Sequence, residues 1–93
     1  MNTMEAVKIR VRGLVQGVGF RYCTTIAAQD CHIKGMVRNE IDGSVYIEAQ
    51  GEEKNLEKFI AKVKESPSPS GRVDSFEMKE MEPKEYTRFS INY

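Results

Sequence analysis

Residues 13–21, GLVQGVGFR, form a glycine-rich stretch near the start of the chain. It follows an alternating apolar and basic run over 7–12, VKIRVR, and precedes the start of a helix over 22–28, YCTTIAA. The order is therefore strand, glycine loop and helix. Glycines allow turns that are closed to other residues, and the first N–H groups of a helix lack intrahelical partners, so this order is typical of an anion site. Arg21 falls in the first helical turn, where its guanidinium can reach the same anion.

Length and composition indicate one globular domain. The chain has 93 residues, of which 40% are hydrophobic and 30% charged, so we expect a single domain over 1–93 with a short N-terminal tail over 1–5. The 14 basic and 14 acidic side chains give a formal net charge of zero, which argues against nucleic acid or an anionic membrane as the main partner. We expect a cytoplasmic location, because the sequence shows neither a signal peptide nor an apolar run of transmembrane length.

The two cysteines are too far apart to form a disulfide or to share a metal ion. If Cys23 and Cys31 lie on one helix, a rise of 1.5 Å per residue separates them by about 12 Å, whereas a disulfide requires Cα atoms within about 7 Å. His32 is the only histidine, so neither a zinc-type site nor a catalytic triad can be assembled, and we expect no metal. His32 stands where a glycine often ends a helix, and histidine tolerates the left-handed conformation, so capping or core packing is favoured over a catalytic role.

Alternation of apolar and polar residues predicts the strands. The apolar members of the first strand are Val7, Ile9 and Val11. Asp42-Gly43 predicts a hairpin after the strand-like run over 33–40. On the returning strand, the residues expected to face the core are Val45, Ile47 and Ala49, with Tyr46 and Glu48 facing away. Residues 72–81 form a further strand, in which Val73 has the wrong parity and marks a bulge, and residues 89–93 form a short closing strand.

Helical spacing of apolar residues predicts two helices. The stripe expected on the first helix is Phe20, Cys23, Ala27 and Cys31. The stripe expected on the second helix is Leu56, Phe59, Ile60 and Val63, which follows i, i+3, i+4 and i+7. The segment SPSPSG over 66–71 ends this second helix, and residues 82–85 read as a polar turn.

The predicted order is strand, helix, strand, strand, helix, strand, with a terminal strand added. Two helices on one face of an antiparallel sheet in this order form the ferredoxin-like α/β sandwich, an α+β fold with split crossovers. This fold hosts enzymes, nucleic-acid binders and metal carriers alike, so it does not name a function.

The glycine loop lacks the residues of nucleotide-binding motifs. Val18 stands where a P-loop has its second glycine, and Tyr22 stands where a dinucleotide fingerprint has its third. No cysteine precedes Arg21 at the spacing of a cysteine phosphatase loop. What remains is an uncharged loop, rich in N–H donors, with one arginine, which suits a small phosphate or carboxylate. The alternative is a tight glycine turn whose arginine lies on the surface.

Asn39 is the second candidate for a functional side chain. It ends the second predicted strand, in a topology that can bring this strand end near the glycine loop. A neutral amide offers a donor and an acceptor to a water or a carbonyl without repelling a phosphate. The alternative is a turn residue beside Asp42-Gly43, and position alone does not separate the two.

From Val7 to Tyr93, the sequence resembles the acylphosphatase family. The stretch over 13–21 matches the family signature, and Gly35-Met36-Val37-Arg38-Asn39 with the following Asp42-Gly43-Ser44-Val45 lies at the family's distance from it. The Ser-Pro-Ser near residue 66 and the ending over 89–93 also fit. The resemblance implies a ferredoxin-like hydrolase that converts small acyl phosphates to carboxylate and phosphate without a metal or an organic cofactor.

The resemblance also implies roles for individual residues. Backbone amides that bind the phosphate map onto Val15, Gln16, Gly17, Val18, Gly19 and Phe20. The catalytic arginine falls on Arg21, and the asparagine that orients the attacking water falls on Asn39. Met36, Cys23 and His32 depart from the family's usual residues, all at supporting positions.

Two other functions stay open from the sequence. One is a non-catalytic domain of the same fold that binds an anion or a protein. The other is nucleic-acid binding, which the neutral charge and the lack of a paired aromatic motif oppose. We expect a monomer that takes a small acyl phosphate as substrate.

Overall fold

The computed structural model describes residues 4–93, which form a five-stranded sheet and two helices. The strands are β1 Met4–Leu14, β2 Lys34–Asn39, β3 Val45–Glu52, β4 Arg72–Met81 and β5 Phe89–Ile91. The helices are α1 Phe20–Asp30 and α2 Glu53–Lys64. The sheet order is β4-β1-β3-β2-β5, and all neighbours are antiparallel except β2 and β5, which run parallel. The predicted ferredoxin-like α+β sandwich is confirmed, with the terminal strand making the sheet mixed.

The first strand begins earlier than the sequence predicts. Of the tail expected over 1–5, residues 1–3 lie outside the described part of the chain. Met4 and Glu5 belong to β1, where they pair with Glu52 and Gly51 of β3. The tail prediction was wrong for these two residues, because backbone pairing continues beyond the point where the apolar and basic residues stop alternating.

The core lies between the helices and one face of the sheet. The inward-facing residues of β1 and β3 are those predicted from alternation, Val7, Ile9, Val11, Val45, Ile47 and Ala49. On α2, Leu56, Phe59 and Val63 are buried, and Ile60 packs at the edge of the core. The helix-facing side chains of the neighbouring strands β1 and β3 therefore form a core with the buried face of the helices.

The apolar stripe predicted for α1 was partly wrong. Cys23 is only half-buried, whereas Thr24 is fully buried in its place. Burial of this threonine is possible because its hydroxyl donates to the carbonyl of Phe20 at 2.7 Å, one turn back, so no polar atom is left without a partner. Spacing of apolar residues alone could not reveal a polar side chain that satisfies itself within the helix.

Two local irregularities follow the sequence prediction. His32 has a φ of 57°, in the left-handed region, and so turns the chain out of α1 toward β2. In the β1–β4 ladder, Arg12 pairs with Ser75 and Gly13 pairs with Val73, which leaves Asp74 unpaired in a bulge. The capping role of His32 and the bulge at Val73 are thus both confirmed.

The face of the sheet without helices is partly covered by the chain that follows β4. Glu48 points to this face, as predicted, yet the residue is only 8% exposed. Its carboxylate accepts hydrogen bonds from Tyr46, Tyr86 and the ammonium of Lys84, the last at 2.8 Å. Residues 82–85 are predicted only as a polar turn. In the structure they belong to a segment that packs on this face of the sheet and contacts Glu48.

Replacing Glu48 by glutamine is expected to destabilise the fold by about 1–3 kcal/mol at pH 7, because hydrogen bonds to an ionised group are strong. Burial raises the pKa of Glu48, but the hydrogen bonds from Lys84, Tyr86 and Tyr46 outweigh it and lower the pKa from 4.5 to about 2. A lowered pKa stabilises the folded state above pH 4.5, and this stabilisation is lost as pH falls toward 2.

Urea unfolding of wild type and Glu48→Gln at pH 7 and pH 3 measures both effects. The difference in free energy of unfolding between wild type and Glu48→Gln should be smaller at pH 3 than at pH 7. Glu80→Gln is the matched control, because Glu80 is exposed on the edge strand β4. An equal difference at both pH values would contradict a stabilising role for the ionised carboxylate of Glu48.

Candidate functional site

The glycine loop, residues 15–19, connects β1 to α1 at one end of the sheet. The side chain of Val15 is buried in the core and fixes the start of the loop. Gly17 and Gly19 have φ values of 76° and 75°, a left-handed conformation that favours glycine. Both glycines are exposed, so the backbone between them is open to a ligand.

The loop ends at the N-terminus of α1, where backbone donors are left free. Gly19 caps this helix without a side-chain hydrogen bond, and the first turn carries no acidic residue. Within residues 4–93, no protein acceptor receives the N–H groups of Gly17, Val18 or Gly19. Free amides and the positive end of the helix dipole make this loop a favourable position for an anion.

The side chain of Gln16 joins this loop to the β2–β3 hairpin. Its Nε2 donates to the carbonyls of Glu40 and Ser44, each at 2.9 Å. Glu40 directly follows Asn39, so the two hydrogen bonds hold the loop against the strand end that carries Asn39. The sequence predicts a role only for the backbone of Gln16, and no local pattern indicates this side-chain contact.

Arg21 lies at the same end of the sheet as Asn39. The Cζ of Arg21 is 5.2 Å from the centre of the Tyr93 ring, within the range of a cation–π contact. Val37 pairs with Ile91 in parallel register, and the N–H of Asn92 donates to the carbonyl of Val37 at 2.9 Å. Since β2 continues only to Asn39, the chain end that carries Tyr93 lies near the end of β2 on which Asn39 stands.

The amide oxygen of Asn39 is buried and lacks a hydrogen-bond partner among the described residues. A buried acceptor without a partner costs roughly 1–3 kcal/mol, so such atoms are uncommon unless a ligand or a water uses them. This oxygen distinguishes Asn39 from an ordinary turn residue, whose side chain would bond to its own turn.

The hairpin tip is held by a different side chain, Asp42. Its carboxylate accepts hydrogen bonds from the hydroxyl and the N–H of Ser44, at 2.6 and 3.0 Å, and from Arg12 at 2.9 Å. Hydrogen bonds from Ser44 and then from Arg12 hold the pKa of Asp42 well below its usual range. The tip is therefore held by Asp42, Ser44 and Arg12 without the side chain of Asn39.

Ser68 supports the glycine loop from the other side. This serine is only 2% exposed, and its hydroxyl donates to the carbonyl of Val18 at 2.6 Å. From the sequence, the surrounding SPSPSG segment is predicted only to end α2, and its Ser-Pro-Ser is only part of the family resemblance. A serine between two prolines carries no signal of a contact 50 residues away.

Neither helix in the described part of the chain is long and apolar enough to cross a membrane. Residues 4–93 contain no group of three or more His, Cys, Asp or Glu side chains that could hold a metal ion. The candidate residues at this end of the sheet instead offer backbone amides, the guanidinium of Arg21 and the carboxamide of Asn39.

The structure is thus an α+β sandwich in which a glycine loop with free backbone amides joins the first strand to the first helix. The chain belongs to the acylphosphatase family, whose model matches residues 7–91. An acylphosphatase of Lactobacillus gasseri is 53% identical over 91 residues, covering 97% of this chain and 100% of that protein.

Solved structures agree with this membership. The crystal structure of acylphosphatase from Bacillus subtilis matches with a TM-score of 0.90 and 39% identity, covering 98% of this chain and 100% of that one. Full-length HypF, in its phosphate- and nucleotide-bound form, matches with a TM-score of 0.88 and 38% identity, but this chain covers only 12% of it. The chain is therefore an acid-anhydride hydrolase that acts on acyl phosphates.

Proposed function

We propose that the phosphoryl group of the acyl phosphate binds to the backbone amides of residues 15–20 and to Arg21, and that Asn39 orients the attacking water. The observation that carries this proposal is the pair of hydrogen bonds from Gln16 to the carbonyls of Glu40 and Ser44. They join the amide-rich loop to the strand end with Asn39, so a phosphate in the loop would lie near a neutral amide.

The binding groups suit the charge that develops during phosphoryl transfer. Charge spreads over the three equatorial oxygens, so catalysis depends mainly on positioning and on electrostatic stabilisation. Loop amides supply fixed dipoles that need no reorganisation, and Arg21 supplies a full positive charge with paired donors. The loop holds no carboxylate that would repel the phosphate.

Asn39 would act on the nucleophile rather than on the phosphate. A water that donates one hydrogen to the free amide oxygen of Asn39 directs a lone pair toward phosphorus. The acyl group leaves as a carboxylate, which is a good leaving group, so no strong protein base is needed. The substrate phosphate itself can accept the proton of the water.

Turnover of simple substrates tests the reaction class on which the proposed residue roles depend. We expect hydrolysis of acetyl phosphate, no turnover of a stable phosphomonoester such as phenyl phosphate, and the same rates with and without EDTA. Phosphate binding without turnover would instead favour the non-catalytic binding domain. Activity on both substrates would mean that the reaction class is wider than acyl phosphates, and loss of activity in EDTA would contradict the metal-independent mechanism.

We further infer a cytoplasmic monomer. Cys23 and Cys31 are both free thiols, which suits a reducing compartment. The edge strand β4 is mostly exposed and carries charged side chains, which discourages pairing with the edge strand of a second molecule. Sedimentation at micromolar concentration would reveal a dimer if this inference is wrong.

A further inference from the structure

The peptide bond between Val18 and Gly19 has an orientation that matters for anion binding. A trans peptide is planar, so its carbonyl oxygen and its N–H point in opposite directions. The group that holds the carbonyl of Val18 therefore also sets the direction of the N–H of Gly19. That N–H has no protein acceptor within the described residues, and it belongs to the six amides assigned to the phosphate.

This peptide bond precedes a glycine, whose backbone is only weakly constrained by sterics. Gly19 has a φ of 75°, and glycine adopts positive and negative φ about equally readily. A flip of the peptide plane would replace the N–H facing the anion with a carbonyl oxygen. Because that oxygen carries partial negative charge, the flipped loop would repel a phosphate instead of binding it.

A hydrogen bond from Ser68 holds this peptide bond in one orientation. Its hydroxyl donates to the carbonyl of Val18 at 2.6 Å from a position that is 2% exposed. Its own carbonyl accepts from the N–H of Gly71 at 3.1 Å and from the hydroxyl of Ser66 at 2.9 Å. Prolines on both sides further restrict the backbone around Ser68, so the hydroxyl is presented by a rigid turn.

We propose that Ser68 is a positioning residue that keeps the N–H of Gly19 directed at the phosphate by anchoring the carbonyl of Val18. It acts through the loop and does not touch the substrate. This inference rests on the proposed phosphate site, since it concerns how one of that site's amides is oriented.

The test is phosphate binding by folded Ser68→Ala protein, measured at 10 °C to keep a less stable variant folded. Loss of this hydrogen bond is expected to raise the inhibition constant of inorganic phosphate roughly tenfold, and KM for acetyl phosphate with it. Ser68→Thr, which keeps the hydroxyl, is expected to restore most of the affinity. Ser70→Ala is the matched control, because Ser70 is exposed in the same segment, and it should bind as wild type does.

The amide signals of the loop in an NMR titration with inorganic phosphate separate the possible outcomes. In wild type, the N–H signal of Gly19 should shift, and in Ser68→Ala it should shift much less. A merely structural serine would lower the unfolding temperature and leave both the inhibition constant and this shift unchanged, which would overturn the proposal. If Gly17 responds in wild type and Gly19 does not, only the role of Ser68 fails. If none of the loop amides responds, the proposed phosphate site itself fails.

Discussion

Replacing Arg21 by alanine is expected to lower kcat/KM for acetyl phosphate by about 10³-fold or more, because arginines that stabilise a transferring phosphoryl group contribute on this scale. Arg21 is the only charged residue in the stretch 13–21, so no neighbour in the loop can replace its charge. Its guanidinium lies against Tyr93, at the sheet end where β2 finishes, and it is half-buried rather than free in solvent. Steady-state kinetics with acetyl phosphate measure the loss.

Two further variants separate a specific role from a general effect of charge. Arg21→Lys keeps the charge but loses the planar pair of donors, so it should recover only a small part of the activity. Arg88→Ala is the control, because Arg88 is exposed and its carbonyl accepts from Gly35, at the far end of β2 from Asn39. Equal losses for Arg21→Ala and Arg88→Ala would contradict the assignment of Arg21.

The parts of the fold that the sequence predicts are those where neighbours along the chain face different environments. Val7, Ile9 and Val11 alternate with basic residues because one side of β1 meets the helices and the other does not. The same logic fails on α1, where Thr24 is buried because its hydroxyl bonds within the helix. Alternation also does not predict the burial of Glu48, because this burial depends on Lys84 and Tyr86 from a distant segment.

The residues of the candidate site also differ in whether the local sequence predicts them. The glycine loop and Arg21 are predictable because their chemistry is local, with glycines and a helix start adjacent in the sequence. Asn39 could be only a candidate, since its unpartnered oxygen becomes visible when β2 and the hairpin tip are in place. The contacts of Gln16 and Ser68 with carbonyls 24 to 50 residues away leave no trace in local spacing.

The side chain of Asn39 occupies a different position from that of Arg21, at the end of a strand rather than at the start of a helix. The core-facing residues of β2 lie beneath the helices, and Asn39 follows Val37 on that face at the last position of the strand. Its amide oxygen is therefore buried by the protein yet lies where the sheet ends, near the loop held by Gln16. A group in this position can hold a water beside a bound phosphate without adding a charge to the site.

Asn39→Ala is accordingly expected to lower kcat for acetyl phosphate by about 10²- to 10³-fold, the loss typical for one preorganised hydrogen-bonding group. KM should change little, because the water is not part of the bound substrate. Asn39→Asp keeps the shape but sets a carboxylate near the phosphate, so it should lower kcat and also raise KM. Asn55→Ala in α2, beyond the opposite end of β3, should behave as wild type. If Asn39→Ala raised KM and left kcat unchanged, Asn39 would be a substrate-binding group and the water would have to be oriented by another residue.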